Sequence, residues 1–197
     1  MFFFPLLFAA LEGDGEEGLA QRLKDRDPQA MADLYDRYGR LTYVLIFRIV
    51  RNAGAAEDLV QETFLRVWNR VHGFNHEKGS LGPWILTVAR NRAIDYLRSV
   101  DGRMAQNATE LDGTEHPQLF ANLESEILNS DRARRLRGAF TKLNSNQRQV
   151  IELAYYEGLS QSEMSERLNQ PLGTVKTWVR SALRTLREEL GDHAAAV

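Results

Sequence analysis

The stretch LSQSEMSERLNQPLGTVKTWVRSALRTLREEL, residues 159–190, constrains the fold more than any other part of the chain. Ser160 and Glu163 have the spacing of a capping box, in which each side chain bonds the other residue's backbone N–H, so a helix should begin there. The segment NQPLG at 169–173 should end this helix, because Asn tolerates a left-handed backbone and Pro does not continue a helix. Thr174 is the expected cap of a second helix. The pattern predicts two helices joined by a tight turn.

The second helix should have two contrasting faces. At about 100° per residue, its apolar seam consists of Val175, Val179, Ala182, Leu183, Leu186 and Leu190. A row of cations, extended by two hydroxyl residues, occupies the neighbouring face: Lys176, Thr177, Arg180, Ser181, Arg184 and Arg187. Trp178 lies at the margin between the faces, and packing is the favoured interpretation for it.

A helix that enters the major groove needs donors near its N-terminus for base edges and further cations for phosphates. Lys176, Thr177, Arg180 and Ser181 are therefore expected to contact bases, and Arg184 and Arg187 to contact phosphate. The alternative is a solvated basic face on a surface helix. The capped short helix and the turn before it favour DNA binding.

The distribution of charge agrees with DNA as a partner. The chain has a net charge of -2, but residues 131–190 hold 11 Lys/Arg against 7 Asp/Glu. Residues 101–130 contain a single basic residue, Arg103, among six acidic ones. This contrast predicts a basic C-terminal domain that follows a flexible acidic linker.

Helical periodicity also dominates the part before the linker. Asp27 and Pro28 are a favourable N-cap and first helical residue, and apolar residues then recur at three- and four-residue steps to about Arg51. Residues 52–54 (NAG) should break this helix, and another should begin near Ala56 with Glu57 and Asp58 in its first turn.

A loop is expected at His72–Gly82, and a third helix, capped by Ser80, should run to about Ser99. In the C-terminal part, Ser145 is the expected N-cap of a helix that ends at Gly158. The prediction is an all-α protein of two small helical domains, with these segments: a disordered N-terminal extension at 1–24, a first domain at 25–100, the linker at 101–129, a second domain at 130–190 and a tail at 191–197.

Several functional classes are disfavoured by the residues present. The chain has no cysteine, and His72, His76 and Glu77 lie in a glycine-containing loop without a further ligand pair, so no metal site is expected. No phosphate-binding loop or nucleophile motif occurs, so neither a cofactor nor enzymatic activity is expected. The apolar residues 1–11 are too short to span a bilayer. A cytoplasmic protein without membrane insertion is expected.

Three segments together resemble one family. GLSQSEMSERLNQPLGTVKTWVRSALRTLREEL, ending at Leu190, resembles the promoter-binding helix-turn-helix (region 4) of extracytoplasmic-function (ECF) sigma factors. Response regulators contain similar helix-turn-helix domains, so this segment alone does not distinguish a sigma factor from a response regulator. AEDLVQETFLRVW (Ala56–Trp68) and PWILTVARNRAIDYLR (Pro83–Arg98) resemble region 2 of the same family, in the expected order. The resemblance implies a protein that binds core RNA polymerase and directs promoter-specific initiation at -10 and -35 elements.

The resemblance also implies a role for the helix at Ala56–Trp68. In the family it contacts the clamp helices of the largest polymerase subunit, and Asp58, Gln61, Glu62 and Leu65 would form this contact. The alternative is that the carboxylates are only the solvated acidic start of a helix.

The -10 element is assigned, by the same resemblance, to the loop and the third helix. A flipped base needs an apolar wall and a polar partner, which Phe74 and Asn75 would supply. Asn91 matches the position that faces the element, and phosphate contacts would come from Arg90, Arg92 and Arg98. Trp84 and Tyr96 are expected in the core.

The family also implies regulation by an anti-sigma factor. Two other functions remain open from the sequence alone. One is a helix-turn-helix regulator that binds DNA without polymerase, and the other is a degenerate sigma-like module that sequesters a partner.

Overall fold

The computed structural model describes residues 16–99 and 138–190. Within these ranges the chain is helical and has no strand, which confirms the all-α prediction. The helices are α1 (Glu16–Lys24), α2 (Pro28–Val50), α3 (Ala53–Arg70), α4 (Leu81–Arg98), α5 (Ser145–Tyr156), α6 (Gln161–Leu168) and α7 (Leu172–Leu190). Short 3-10 turns occupy Val71–Gly73 and His76–Lys78.

Helix α1 lies where a disordered extension was expected. Its apolar residues Leu19, Ala20 and Leu23 share one helical face and are buried in the core of the first domain. The prediction of disorder was therefore wrong for residues 16–24. The glycines and carboxylates just before this helix hid its short apolar stripe. Residues 1–15 of the predicted extension lie outside the described residues.

Capping residues define both ends of α2 and the start of α3. The predicted cap Asp27 is confirmed, because its side chain accepts a hydrogen bond from the backbone N–H of Gln29. At the other end of α2, Arg51 has a left-handed backbone with φ 53°. The next residue, Asn52, caps α3. Helix α3 therefore begins at Ala53 rather than Ala56, and Glu57 and Asp58 lie beyond its first turn.

Helix α4 is capped from a distance. Ser80 occupies the N-cap position, but its side chain makes no capping hydrogen bond. Instead, Oε2 of Glu16 accepts a hydrogen bond from the backbone N–H of Leu81 at 3.0 Å. The other carboxylate oxygen, Oε1, accepts one from the hydroxyl of Tyr38 at 2.6 Å. One side chain of α1 thus connects the buried middle of α2 with the start of α4.

The second domain has the predicted helix-turn-helix. The Ser160–Glu163 capping box is present, and Asn169 has the predicted left-handed backbone with φ 49°. Helix α7 begins at Leu172, so Thr174 lies in its first turn instead of capping it. Helix α5 is likewise capped one residue before the prediction, by Asn144.

Two hydrophobic clusters organise the described residues. The smaller one joins α5, α6 and α7 through the buried side chains of Val150, Leu153, Met164 and Val175. The larger one is the core of the first domain, and it continues into Phe140, Leu143 and Ala182 of the second. The two domains are therefore in contact. The predicted linker at 101–129, the start of the second domain and the tail lie outside the described residues.

Candidate nucleic-acid and polymerase interfaces

The outer face of α7 carries the predicted row of cations. Opposite the buried Val175 and Ala182, five of the six predicted DNA-binding residues are exposed: Lys176, Thr177, Arg180, Arg184 and Arg187. The hydroxyl of Thr177 donates a hydrogen bond to the carbonyl of Gly173 at 2.9 Å. The guanidinium of Arg184 lies 3.9 Å from the carboxylate of Glu188, one turn further along. This face can meet a polyanion without any change in the packing beneath it.

Ser181 lies apart from this row. It is half-buried, and its hydroxyl accepts a hydrogen bond from Nε2 of Gln147 at 2.9 Å. Gln147 also closes the capping box of α5. Ser181 therefore faces α5, and this geometry does not support the predicted base contact.

Two apolar residues of α7 have different surroundings. Trp178 packs against the smaller cluster, which confirms the packing interpretation. Leu183, placed in the buried seam by periodicity, is 51% exposed, so that prediction was wrong. Eight residues at about 100° each put Leu183 roughly 80° away from Val175, at the margin of the buried face.

The predicted polymerase-binding face lies on α3. Asp58, Gln61 and Leu65 are exposed, and Leu65 is 60% accessible. Glu62 is also exposed, but its carboxylate accepts a hydrogen bond from Nε of Arg92 and forms an ion pair with it. This hydrogen bond raises the pKa of Arg92. The pair connects a residue predicted to bind polymerase with one predicted to bind DNA.

Sequence analysis missed Tyr35, an exposed aromatic residue beside this face. Tyr35 follows the three- and four-residue apolar spacing of α2, which predicts burial, but its side chain is 50% exposed. Its ring centroid lies 5.0 Å from that of Phe64, the neighbour of Leu65 on α3. The only feature of the sequence that indicates the exposure of Tyr35 is the position of an aromatic residue at the edge of a buried stripe.

The loop before α4 is more ordered than predicted. Phe74 is only 8% exposed, and its ring centroid lies 5.2 Å from that of Trp84. The prediction that Phe74 forms an open wall for a flipped base is thus not supported, because its ring fixes the loop to the core. The side-chain oxygen of Asn75 accepts a hydrogen bond from the backbone N–H of Glu77, and Asn75 remains exposed. Trp84 and Tyr96 pack against the core, as predicted.

Two of the three arginines of α4, Arg90 and Arg98, contact the second domain. Arg90 donates hydrogen bonds to the carbonyl of Tyr155 from Nε at 2.7 Å and to that of Ala154 from Nη2 at 2.5 Å. Burial lowers the pKa of Arg90, although a guanidinium stays charged in a protein. Arg98 donates to the carbonyl of Gly158 at 2.5 Å. Asn91 is exposed beside them.

Metal ligation and membrane insertion find no support in the part of the chain that the structure describes. Among residues 16–99 and 138–190, no three His, Cys, Asp or Glu side chains are grouped closely enough to hold a metal ion. None of the helices there is both long and apolar enough to cross a bilayer.

Comparison with known proteins identifies both domains. A family model described as sigma-70 region 2 matches residues 34–103, and one described as sigma-70, region 4 matches residues 139–188. The chain is 33% identical over 187 residues to the ECF RNA polymerase sigma factor SigK of Mycolicibacterium vanbaalenii, across 95% of this chain and 92% of that protein. It is 36% identical over 173 residues to SigK of Mycobacterium bovis, across 87% and 91% of the two chains.

Among solved structures, Rhodobacter sphaeroides SigE in complex with the anti-sigma ChrR matches with a TM-score of 0.47 and 25% identity, covering 90% of this chain and 99% of that one. The two family models, in this order and with relatives of similar length, set the chain apart from regulators that contain only a helix-turn-helix. Sigma factors with both regions bind core polymerase and promoter DNA and are not themselves enzymes. The chain belongs to the ECF sigma factors of the sigma-70 family, which direct promoter-specific initiation by RNA polymerase.

Proposed function

We propose that α7 binds the -35 element through the exposed cations of its outer face. The observation that carries this proposal is the exposure of this row on a helix whose opposite face is fixed by the buried Val175 and Ala182. Lys176, Thr177 and Arg180 lie nearest the N-terminus and would contact base edges, while Arg184 and Arg187 would contact phosphates. Ser181 would support the helix from within the domain.

The first domain would dock on the clamp helices through the outer face of α3. Exposed carboxylates suit basic residues of a partner, and an exposed apolar side chain suits the centre of a contact surface. Asp58, Gln61 and Leu65 supply this combination, with Glu62 at the edge toward α4. Tyr35 extends the apolar part of this surface on the side of Phe64.

The -10 element would bind at the loop and the exposed side of α4. Asn75 and Asn91 are exposed amides that can pair with a base edge, and Arg90, Arg92 and Arg98 would contact the strand. Phe74 would position the loop from the core rather than stack on a base, because its ring packs on Trp84.

Holoenzyme formation tests the polymerase contact most directly. Leu65→Ala should weaken binding of the full chain to its own core polymerase by about 1 kcal/mol or more, because it removes an exposed apolar contact without creating a cavity. Gln21→Ala, at an exposed position of α1 outside the proposed surfaces, is the control. Equal affinities of the two variants in a competition assay for core polymerase would place the contact elsewhere.

We also propose cytoplasmic action under an anti-sigma factor, since core polymerase and promoter DNA meet in the cytoplasm and membership of the family favours such an inhibitor. A partner that covers α3 would compete with polymerase for the same residues. Leu65→Ala should then also weaken the inhibitor's binding, as measured by titration of the purified pair.

A further inference from the structure

Acidic and basic side chains are separated along α3. Its first part, residues 53–62, contains three carboxylates and no Lys or Arg. Residues 63–80, which include the loop before α4, contain three Lys/Arg, among them Arg66 and Arg70, against the single carboxylate of Glu77. The acidic part belongs to the surface proposed to contact polymerase. The basic part suits a different, anionic partner.

Arg66 and Arg70 have no partner in the part of the protein that the structure describes. Within residues 16–99 and 138–190, neither side chain forms an ion pair, a hydrogen bond or a cation–π contact. Glu62 has the favourable helical spacing for a pair with Arg66, but its carboxylate is bonded to Arg92 instead. Arg70 is exposed and Arg66 is half-buried. Both guanidinium groups therefore keep N–H donors available to a ligand.

The two arginines lie four residues apart, so their side chains share one face of α3, where like charges destabilise a helix. The negative end of the helix dipole attracts cations, but only within the last turn. It therefore accounts for Arg70 and not for Arg66, one turn earlier. In addition, Arg26 already donates a hydrogen bond to the carbonyl of Trp68 in this last turn at 2.7 Å. An anionic ligand explains the pair better than helix stability does.

The arginine pair lies on the side of α3 that faces α4. Glu62, one turn before Arg66, reaches Arg92 of α4. At about 100° per residue, Arg66 lies roughly 40° from Glu62 and roughly 160° from Phe64. The ring of Phe64 contacts Tyr35 of α2, so the side of α2 is the opposite one. The pair therefore borders the helix that carries the cations proposed for the -10 strand.

The loop proposed to contact the -10 element begins where the arginine pair ends. Arg70 is followed directly by the turn Val71–Gly73 and then by Phe74 and Asn75. Val71 is fully buried and Phe74 is only 8% exposed, so the turn is fixed to the core at both ends. Asn75 is exposed. A strand bound at Asn75 therefore has a basic surface of α3 beside it.

We propose that Arg66 and Arg70 bind phosphates of the promoter strand next to the -10 element. Arginine suits this role because its planar guanidinium can donate two hydrogen bonds to one phosphate. Contacts to the backbone position a strand but carry no sequence information, so the pair would position the bases that Asn75 and Asn91 contact. This inference rests on the proposed binding of the -10 element by the loop and α4.

Holoenzyme binding to a promoter fragment from which it initiates tests this inference, because phosphate contacts make affinity depend on salt. Arg66→Gln/Arg70→Gln should weaken binding by the same factor on all -10 sequences. It should also lower the slope of log affinity against log salt concentration by about 1.4–1.8, which is two contacts at about 0.7 each for a single strand or 0.9 each for a duplex. Arg66→Lys/Arg70→Lys should keep the slope, because an ammonium also binds phosphate. Arg37→Gln removes the same charge at an exposed position of α2 outside the proposed surfaces and is the control.

Two results would overturn the inference. If the Gln double variant keeps the salt slope of the unaltered chain, the pair does not contact phosphate. If this variant loses affinity for core polymerase in a competition assay and the Lys double variant regains it, the partner of the pair is polymerase and not DNA.

Asn91→Ala separates this inference from the proposed function on which it rests. It should change the preference among -10 sequences without changing the salt slope, because an amide makes no ionic contact with phosphate. If Asn91→Ala behaves in this way but the Gln double variant keeps the slope, only the phosphate contact is refuted. If Asn91→Ala leaves the preference unchanged, the -10 assignment is refuted and this inference with it.

Discussion

Glu16→Ala is a sharp test of how the first domain is built, because one carboxylate serves two helices. Its oxygens accept from the N–H of Leu81 at 3.0 Å and from the hydroxyl of Tyr38 at 2.6 Å. Loss of a helix cap costs about 1 kcal/mol, and a hydrogen bond to a charged group contributes about 1.5–3 kcal/mol. Since both bonds are partly buried, we expect the variant to lose about 2–4 kcal/mol in the free energy of unfolding.

Unfolding of the first domain can be followed by the fluorescence of Trp68 and Trp84 in a Trp178→Phe background, which removes the signal of the second domain. Each kcal/mol lost should lower the Tm by about 4–8 °C for a domain of 60–100 residues. Tyr38→Phe should lose only the part of the stability that comes from the hydrogen bond of the phenol hydroxyl. Glu16→Gln should fall between the unaltered chain and Glu16→Ala, because an amide oxygen still accepts.

Two outcomes would refute this reasoning. Gln21→Ala changes an exposed residue of the same helix and should stay within about 0.5 kcal/mol of the unaltered chain. If Glu16→Ala is no more destabilising than this control, the carboxylate does not fix α4. If the effects of Glu16→Ala and Tyr38→Phe simply add, the bond between their side chains does not contribute, since contacting partners should show a coupling of about 0.5–3 kcal/mol.

Three further expectations concern the second domain. Met164→Ala truncates a side chain of the smaller cluster that is only 2% exposed, so it should lower the free energy of unfolding by about 2–5 kcal/mol and reduce -35 binding. Ser162→Ala, on the exposed side of α6, should do neither. Equal melting curves of the two variants would contradict the assigned core. Hydrogen bonds with the side chain and backbone of Ser160 hold the pKa of Glu163 below its ordinary 4.5, so the stability from this cap should be complete above that value and lost as the pH falls through the lower folded value. Thermal melts between about pH 6 and pH 3 should accordingly show Glu163→Gln approaching the unaltered chain in acid, and a constant gap would exclude the linkage. Arg180→Ala should weaken holoenzyme binding to the cognate -35 sequence by about 1–3 kcal/mol and relax the sequence specificity. Glu189→Ala is its control. An equal loss of affinity on all sequences would reassign Arg180 to a phosphate contact.

Local patterns predicted much of the fold because the signals that start and stop helices act over four residues. The capping box at Ser160, the cap at Asp27 and the left-handed Asn169 were all predicted and are all present. The starts at Ala53 and Leu172 lie up to three residues before the predicted ones. The error at Asn144 is a shift of one residue, where Asn144 and Ser145 could each have capped the helix. Such competition is decided by packing, which the local sequence does not contain.

Several features that escaped prediction depend on contacts between segments that are distant in the sequence. The bond from Glu16 to Leu81 spans 65 residues, and so does the bond from Arg90 to Tyr155. Neither has a periodic signal, because each joins one side chain to a backbone group whose position is set by the whole fold. The surroundings of Phe74 belong to the same class, since its burial depends on the ring of Trp84. Residue type and spacing identified the candidate sites, but not whether their side chains were already occupied.

The arginines of α4 proposed to contact the -10 strand already have partners within the protein, so they would bind DNA only after these partners are released. Arg92 is held by Glu62, on the helix proposed to meet polymerase, and Arg90 is held by the second domain. A basic residue of polymerase that approached Glu62 would compete with Arg92 for the same carboxylate. Polymerase binding at Glu62 would therefore free the guanidinium of Arg92 on α4. Because the cations of α7 are exposed throughout, duplex binding would not need this release, whereas strand capture would.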